Sequence, residues 1–460
     1  MTIRLIETSS SNAPETSSRG AQGGALPRAL PDLLLSNAAA DRRGVALRAK
    51  QRGVWTEWSW QEVADEVSAI AHGLATAGLK RGEQVLVLGD AQPRLLFGLL
   101  GAQLAGAVVT ALPARVDAAA LDGLLTRTAV RFAFAEDEGA VVALAACVHF
   151  SRTDAVIVHS ARHLPITADA LSMVHYDTLR KRGCVAATDP HFARLPAHTG
   201  ANRWEPAFAV WHLRPGDGGA DSGDALSHRA LIDEAEEWLE PLGVGNDDDL
   251  LLHPGLFSGD GLALAIAHWL AAGLRLNIPE NANTWLGDRR ELGPTYELGD
   301  TAAYEAVYDE VCERLPNSGS RVRRVIEAVL DAGARVNEAR ASRTSVAVGD
   351  RLKSLLLGWL VVRPLRDVLG LSRVRVAVHT GVPLSASAAK FYRSLGIRIE
   401  GADRSARSHG EPESDTVRDP AGEFLASMAF SADVISFFPT TGVLAVASRA
   451  ERGGSVVVSG

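Results

Sequence analysis

The chain is poor in cysteine, in aromatic residues and in long apolar runs, and each shortage closes off a class of protein. Cys147, Cys184 and Cys312 are the three cysteines in 460 residues and stand far apart, whereas a disulfide framework or a zinc site needs close pairs. They point to a reducing, cytoplasmic setting. The strongest apolar run, Leu355 to Val362, is bounded by Lys353 and Arg363 and falls far short of the ~20 residues that span a bilayer. It is expected as a buried helix face, with docking at the periphery of a membrane as the lesser alternative. Residues 1–25 are rich in Ser, Thr and Gly, carry no apolar stretch of a signal peptide and read as a disordered tail. Positive charge is also short. Lys+Arg 47 against Asp+Glu 55 leaves a net charge of −8, so there is no global field to draw nucleic acid or an anionic membrane.

What is present is the balance of a globular protein: 47% hydrophobic and 22% charged residues, with length for two to four domains or one large α/β unit. From Ser59, the spacing of Val63, Val67, Ile70, Ala71 and Leu74 is helical and Gly78 ends it. A short apolar strand over Gln84–Gly89 follows, then a helical stretch around Leu95 to Leu104, then a strand over Val108–Leu112. That βαβ order implies a parallel sheet. Further strands are expected at 132–135, 155–158, 207–211 and 374–378. Trp55, Trp58 and Trp60, at period-two spacing, read as a strand or hairpin edge. Residues 442–460 suggest two short strands about a turn, and 1–25, 188–203 and 405–421 suggest flexible stretches.

One segment draws the eye of a chemist. Leu213-Arg214-Pro215-Gly216-Asp217-Gly218-Gly219-Ala220-Asp221-Ser222-Gly223 follows the 207–211 strand and precedes a helix over Ser227–Leu239. Glycine-rich turns at such places gather backbone amides around phosphate, but hydroxyls and a lysine usually complete the cradle. Here Asp217, Asp221 and Asp224 supply negative charge instead. Two like charges 4 Å apart repel by about 4 kcal/mol at an effective dielectric of 20. A solvated surface turn is the simpler reading, and a divalent cation on these aspartates the remoter one. His228 stands at a helix start that Ser227 would cap. The acidic runs Glu234–Glu240 and Asp247–Asp249 read as solvated faces or loops. No nucleophile elbow, paired-His helix or metal-ligand spacing is present.

The order of several short stretches resembles the adenylate-forming (AMP-binding) acyl-CoA synthetases, most of all the long-chain fatty acid–CoA ligase branch. The stretches are Trp58-Ser-Trp60-Gln-Glu, Leu79-Lys-Arg-Gly-Glu, Gly89-Asp-Ala-Gln-Pro-Arg, Leu226-Ser-His-Arg, Arg290-Glu-Leu-Gly-Pro-Thr295, Gly381-Val-Pro-Leu-Ser385 and Phe391-Tyr-Arg-Ser-Leu-Gly396. The resemblance implies an α/β fold of two parallel-sheet subdomains with helices on both faces. Residues 26–400 would be the N-terminal region of that fold, 401–460 a truncated small β-barrel, and the C-terminal lid domain would be absent. Such enzymes turn a carboxylate and ATP into an acyl-adenylate and then a CoA thioester.

The departures fall on the chemistry. Where the family's phosphate loop carries Thr, Ser and a Lys, this chain has Arg214, Pro215, Gly216, Asp217, Gly218, Gly219, Ser222 and Gly223. Where the family stacks adenine on a Tyr and holds magnesium with a Glu, it has Gly401, Ala402, Asp403, Arg404, Ser405 and Ala406. The family's Gly-Val-Pro-Arg turn becomes Gly299-Asp300-Thr301-Ala302. Ser227, His228, Gly381 and Pro383 keep the family's residues. One lost electrostatic donor typically raises a barrier by about 2.7–4 kcal/mol, so no catalytic set is expected to be intact, and no metal site. The expectation is a pseudoenzyme of the acyl-CoA synthetase type, without cofactor, binding a long-chain fatty acid or acyl group, or a partner protein such as an active acyl-CoA synthetase. The alternative is a working ligase using ATP, magnesium and CoA, with its C-terminal domain supplied by a partner. An acyl tunnel would lie beside Leu250–Leu276, with ordinary core packing as its rival.

Overall fold

A computed structural model describes residues 29–153, 155–159, 172–188, 205–213, 220–257, 260–314 and 362–402, with single positions at 328, 331, 333 and 335. In chain order the first half runs α1 (Leu30–Ala40), β1 (Val45–Gln51), β2 (Val54–Ser59), α2 (Trp60–Thr76), β3 (Gln84–Leu88), α3 (Pro93–Leu104), β4 (Val108–Leu112), α4 (Ala118–Arg127), β5 (Val130–Ala135), α5 (Glu138–Ala145), β6 (Ala155–Val158), β7 (Met173–His175) and α6 (Tyr176–Ala186). The second half runs β8 (Pro206–Leu213), β9 (Ala220–Ser227), α7 (His228–Leu242), β10 (Asp249–Leu251), α8 (Gly261–Ala272), β11 (Arg275–Ile278), α9 (Trp285–Leu292), β12 (Tyr296–Asp300), α10 (Thr301–Arg314), α11 (Arg363–Val368), β13 (Val376–Thr380), α12 (Ala386–Ser394) and β14 (Arg398–Ala402).

These strands build two seven-stranded sheets. One has the order β7-β6-β5-β3-β4-β8-β9 and the other β14-β13-β12-β10-β11-β1-β2. Each is parallel except at one edge, where β8 pairs antiparallel with β9 and β1 with β2. The two parallel sheets expected are thus present, each with one antiparallel strand added at an edge. The small barrel expected over 401–460 lies outside the described residues, save Gly401 and Ala402, which end β14. The expected hairpin at 442–460 and the stretches 1–25, 188–203 and 405–421 lie outside them as well, as do all but the last residue of the apolar run Leu355–Val362.

Period-two alternation sorts the strand residues between three cores. Val85, Val87, Phe132, Phe134 and Ile157 join Leu47, Leu250, Tyr296, Leu298 and Val378 in one core between the sheets. Their sequence neighbours Leu86, Leu88, Ala133 and Val156 turn the other way, onto α4 and α5. Ala377 and Ile399 face a third core with Tyr304, Phe391 and Tyr392. Each sheet thus carries helices on both faces, as buried parallel strands require.

Helix α8 runs through the middle core with Leu262 to Leu270 buried on every side. Trp269 stacks on Trp60 with ring centroids 5.6 Å apart, and its Nε1 donates to the Ala46 carbonyl at 2.9 Å. Full burial of such a side chain is worth about 3 kcal/mol. Trp60 is therefore the first residue of α2, and only Trp55 and Trp58 of the tryptophan triplet lie in the hairpin. Helices α2 and α6 cross at very close range: a Cβ on Gly183 would stand 1.7 Å from the Ala69 carbonyl oxygen.

In the acidic run at 247–249, Asp247 is exposed in a turn as expected, but its two neighbours are not solvated. Asp248 and Asp249 are 4% and 3% exposed. Asp249 accepts from Arg275 Nε at 2.8 Å and Arg48 Nη1 at 3.0 Å, and Asp248 accepts from Thr295 Oγ1 and the Arg375 guanidinium. Burial pushes the Asp249 carboxyl up, but the Arg275 hydrogen bonds and the charges of Arg275, Arg48 and Arg373 outweigh it and hold it below the usual carboxylate range.

Candidate functional site

Ligands of open α/β sheets gather outside the carboxyl ends of the strands. At that edge of the second sheet, β13 ends in His379-Thr380 and turns through Gly381, whose φ of +89° is open to glycine alone at low cost. The loop from Gly381 to Ser385 is tied to α10 at two points. The Thr301 hydroxyl lies 3.1 Å from the Thr380 carbonyl oxygen and closer still to that of Val382. Glu305 accepts from the Ser385 backbone N–H at 2.6 Å and from its hydroxyl at 3.0 Å. Ser385 in turn caps α12, accepting from the Ala388 N–H at 3.1 Å. Asp300 does the same for α10 through the Ala303 N–H.

This frame holds open a cavity of about 280 Å³ between β13, β14 and α12, with His379, Gly381, Pro383, Arg393, Glu400 and Gly401 in its wall. His379 and Gly401 are register partners across the two strands. The imidazole occupies the room that a side chain at Gly401 would need: a Cβ there would stand 2.7 Å from both Nε2 and Cε1. His379 is 7% exposed. Burial lowers its pKa, against the raising effect of the Glu305 and Glu400 charges, so the ring is neutral near pH 7.

Of the residues expected from sequence, Gly381, Pro383 and Gly401 come together in this cavity wall, and Ala402 pairs with Thr380 just beyond. Ser227 and His228 do not join them. Ser227 caps α7 by accepting from the Ala230 N–H at 3.1 Å. His228 is buried, and its Nδ1 accepts from the Leu30 N–H at 3.3 Å. Burial lowers its pKa to about 4, which makes it a neutral packing residue. Ser222 and Gly223 lie in β9, where Ser222 pairs with Trp211, so the glycine-rich segment leads into a second strand instead of directly into a helix. Arg214, Pro215, Gly216, Asp217, Gly218 and Gly219, and Asp403, Ser405 and Ala406, lie outside the described residues. The tunnel expected beside Leu250–Leu276 meets α8 packed on all sides as core. His379, Thr301 and Glu305 were not expected. The only sequence signal was an imidazole at the end of an otherwise apolar strand, directly before the Gly381 turn.

A second polar cluster marks the same edge of the first sheet. Glu136 follows β5 and accepts from the Asp90 N–H at 2.7 Å. Burial is the main force raising its carboxyl to about 7; the charges of Asp90 and Asp137 add to it and the Asp90 N–H opposes. Among the described residues no group of three or more His, Cys, Asp or Glu is placed to hold a metal ion, and no helix is long and apolar enough to cross a membrane.

Sheet order, hairpin and cavity can be set beside known proteins. VinN in complex with L-aspartate has 15% identity and a TM-score of 0.54, over 81% of this chain and 75% of that one. The N-terminal domain of FACL13 from Mycobacterium tuberculosis has 15% identity and a TM-score of 0.52, over 82% and 76%. The nonribosomal peptide synthetase FmoA3 in its AMPPNP-bound form has 15% identity and a TM-score of 0.52, over 83% and 32%. Residues 36–205 match the family model described as AMP-binding enzyme. The fold is that of the adenylate-forming enzymes. No curated protein matches the sequence. The chain carries its cavity at the carboxyl ends of β13 and β14, and its glycine-rich segment follows β8 in sequence.

Proposed function

We propose that this synthetase-like protein binds its ligand without carrying out ATP-dependent acyl transfer, and that it acts as a pseudoenzyme holding an acyl chain or a partner protein, in the cytoplasm or at the periphery of a membrane. The observation that carries this reading is the cavity of about 280 Å³, whose wall keeps Gly381, Pro383 and Gly401. In sequence, the glycine-rich segment after β8 carries Asp217 and no lysine. An uncompensated carboxylate there repels a polyphosphate by about 4 kcal/mol at an effective dielectric of 20. ATP and magnesium therefore fit these residues poorly.

The test is calorimetric titration with magnesium-ATP, with and without a long-chain fatty acid, alongside ATP–pyrophosphate exchange. Heat with the fatty acid and no exchange is the expected result. Sustained fatty-acid-dependent exchange would overturn the reading in favour of a ligase that uses ATP, magnesium and CoA. The match of residues 36–205 to an enzyme family is what favours that second reading. The double variant Asp217→Thr with Ser222→Lys separates the two further. A gain of ATP affinity is expected where the rest of the nucleotide pocket survives, and unchanged weak binding counts against any nucleotide pocket.

A further inference from the structure

An edge strand leaves one row of backbone N–H and C=O groups without a ladder partner, and proteins guard it by shortness, proline, lysine or other charge. Among the described residues β7 has only three residues, β9 carries Asp221 and Asp224, and β14 carries Arg398 and Glu400. Strand β2, at the edge of the second sheet, has six residues without proline or lysine, and its one charge, Glu57, is tied to Arg48 Nε at 2.8 Å. Thr56 and Glu57 are exposed, and Val54 is 64% exposed. Both tryptophans brace the strand: Trp55 Nε1 donates to Glu291 at 3.1 Å, and Trp58 meets the Phe97 ring edge to face at 6.2 Å.

The turn fixes which groups face outward. Arg52 and Gly53 both have positive φ, +51° and +75°, as a type I′ hairpin loop requires. Gln51 and Val54 therefore close the loop as a hydrogen-bonded pair. Two residues on, Thr56 turns its backbone groups to Ala49 as well, so Trp55 and Glu57 point theirs out of the sheet.

We propose that β2 pairs antiparallel with β2 of a second copy of this chain, about a two-fold axis at Thr56, joining the two second sheets into one. In that register Trp55 of each copy exchanges both hydrogen bonds with Glu57 of the other, and Val54 covers Trp58. Along one face the row reads Arg48, Glu57, then Trp55 and Lys50 of the other copy, so no like charges adjoin. Centring the axis on Glu57 would set two carboxylates directly opposite, which is destabilising. Centring it on Trp55 would run Glu57 past the strand end onto the Gly53 turn. Two short strands bury little area, so the dimer is a weak one, with a dissociation constant on the order of ten micromolar.

The test is sedimentation equilibrium of the full chain, with cross-linking under mild oxidation. Thr56→Cys is expected to give a covalent dimer, because opposite residues outside the hydrogen-bonded pairs have Cα atoms about 4.5 Å apart, within disulfide reach. Val54→Cys is expected not to, its counterpart lying ~13 Å along the ladder. The unaltered chain controls for the exposed Cys184. Glu57→Pro removes an outward N–H and spares the β1 ladder, whereas Glu57→Ala removes the same carboxylate and keeps the N–H. The proline variant is expected to dimerise at least about tenfold more weakly than the alanine one, since the two-fold axis doubles each lost bond. Thermal unfolding checks that each variant folds, and the cysteine pair decides alone if the proline variant does not. Cross-linking at 56 no greater than in the unaltered chain, or equal at 54 and 56, would overturn the proposal, whether or not the edge accepts some other extended peptide. A dimer that a folded Glu57→Pro leaves intact would overturn it too, by placing the interface elsewhere.

Discussion

Replacing Glu136 by glutamine is expected to stabilise the protein above neutral pH. The carboxyl sits at the end of β5 with the Asp90 N–H on it and the Asp90 charge beside it, and burial holds it at about 7 against an ordinary 4.5. A carboxyl raised in the folded state binds its proton more tightly there than in the unfolded chain. Stability is therefore greatest at low pH and is lost as pH rises through 7. At about 1.4 kcal/mol per pH unit the gap amounts to about 3.4 kcal/mol in a dry site, and partial access of water reduces it to about 2 kcal/mol. Glutamine keeps an oxygen for the Asp90 N–H and carries no charge to desolvate. Urea unfolding of both proteins at pH 8 should show the variant more stable by about 2 kcal/mol, and the advantage should shrink towards zero as pH falls to 4.5. Equal stability at pH 8, or an advantage independent of pH, would refute the argument.

Other substitutions probe the frame. Gly183→Ala puts a methyl 1.7 Å from the Ala69 carbonyl oxygen; since backbone cannot step aside as a side chain can, a loss of about 3 kcal/mol is expected from the urea midpoint. Ser227→Ala removes the cap on α7 and should cost about 1 kcal/mol by thermal unfolding, with no change in ligand binding. Asp249→Ala strips Arg275 and Arg48 of their shared carboxylate and should cost about 3 kcal/mol near pH 7. Because that carboxyl is held low in the fold, the stability it contributes is lost as pH falls through its folded value, so variant and parent should converge in acid.

The sequence was most legible where one physical rule acted alone. Val85 to Leu88 and Phe132 to Ala135 are apolar at every position because both faces of a central parallel strand are covered, and the Ser59 cap with its apolar stripe marked α2. Strand β9 escaped notice because Ala220–Ser227 has no apolar alternation; it is recognisable only through its antiparallel pairing with β8. The buried aspartates were misread for a related reason. Whether Asp248 is solvated depends on Thr295 and Arg375, which only the sheet brings near. In the cavity, Gly381, Pro383 and Gly401 were visible through their glycine and proline chemistry. His379 became legible only with Thr301, which lies in another strand–helix junction.

The hairpin β1–β2 comes before every strand of the first sheet in sequence yet belongs to the second, where Leu47 pairs with Leu276. A ribosome adding 5–20 residues per second leaves that hairpin without its neighbour for on the order of ten seconds or more. A lone two-stranded ribbon is marginal in water, so during synthesis its apolar side waits for β11 and α8. The boundary of the matched segment 36–205 thus cuts across both sheets. An excised fragment of that length would carry two strands of one sheet without their partners and lack the β8–β9 edge of the other. Truncation would therefore yield a sticky remnant, and physical dissection of this protein has to respect the interlock.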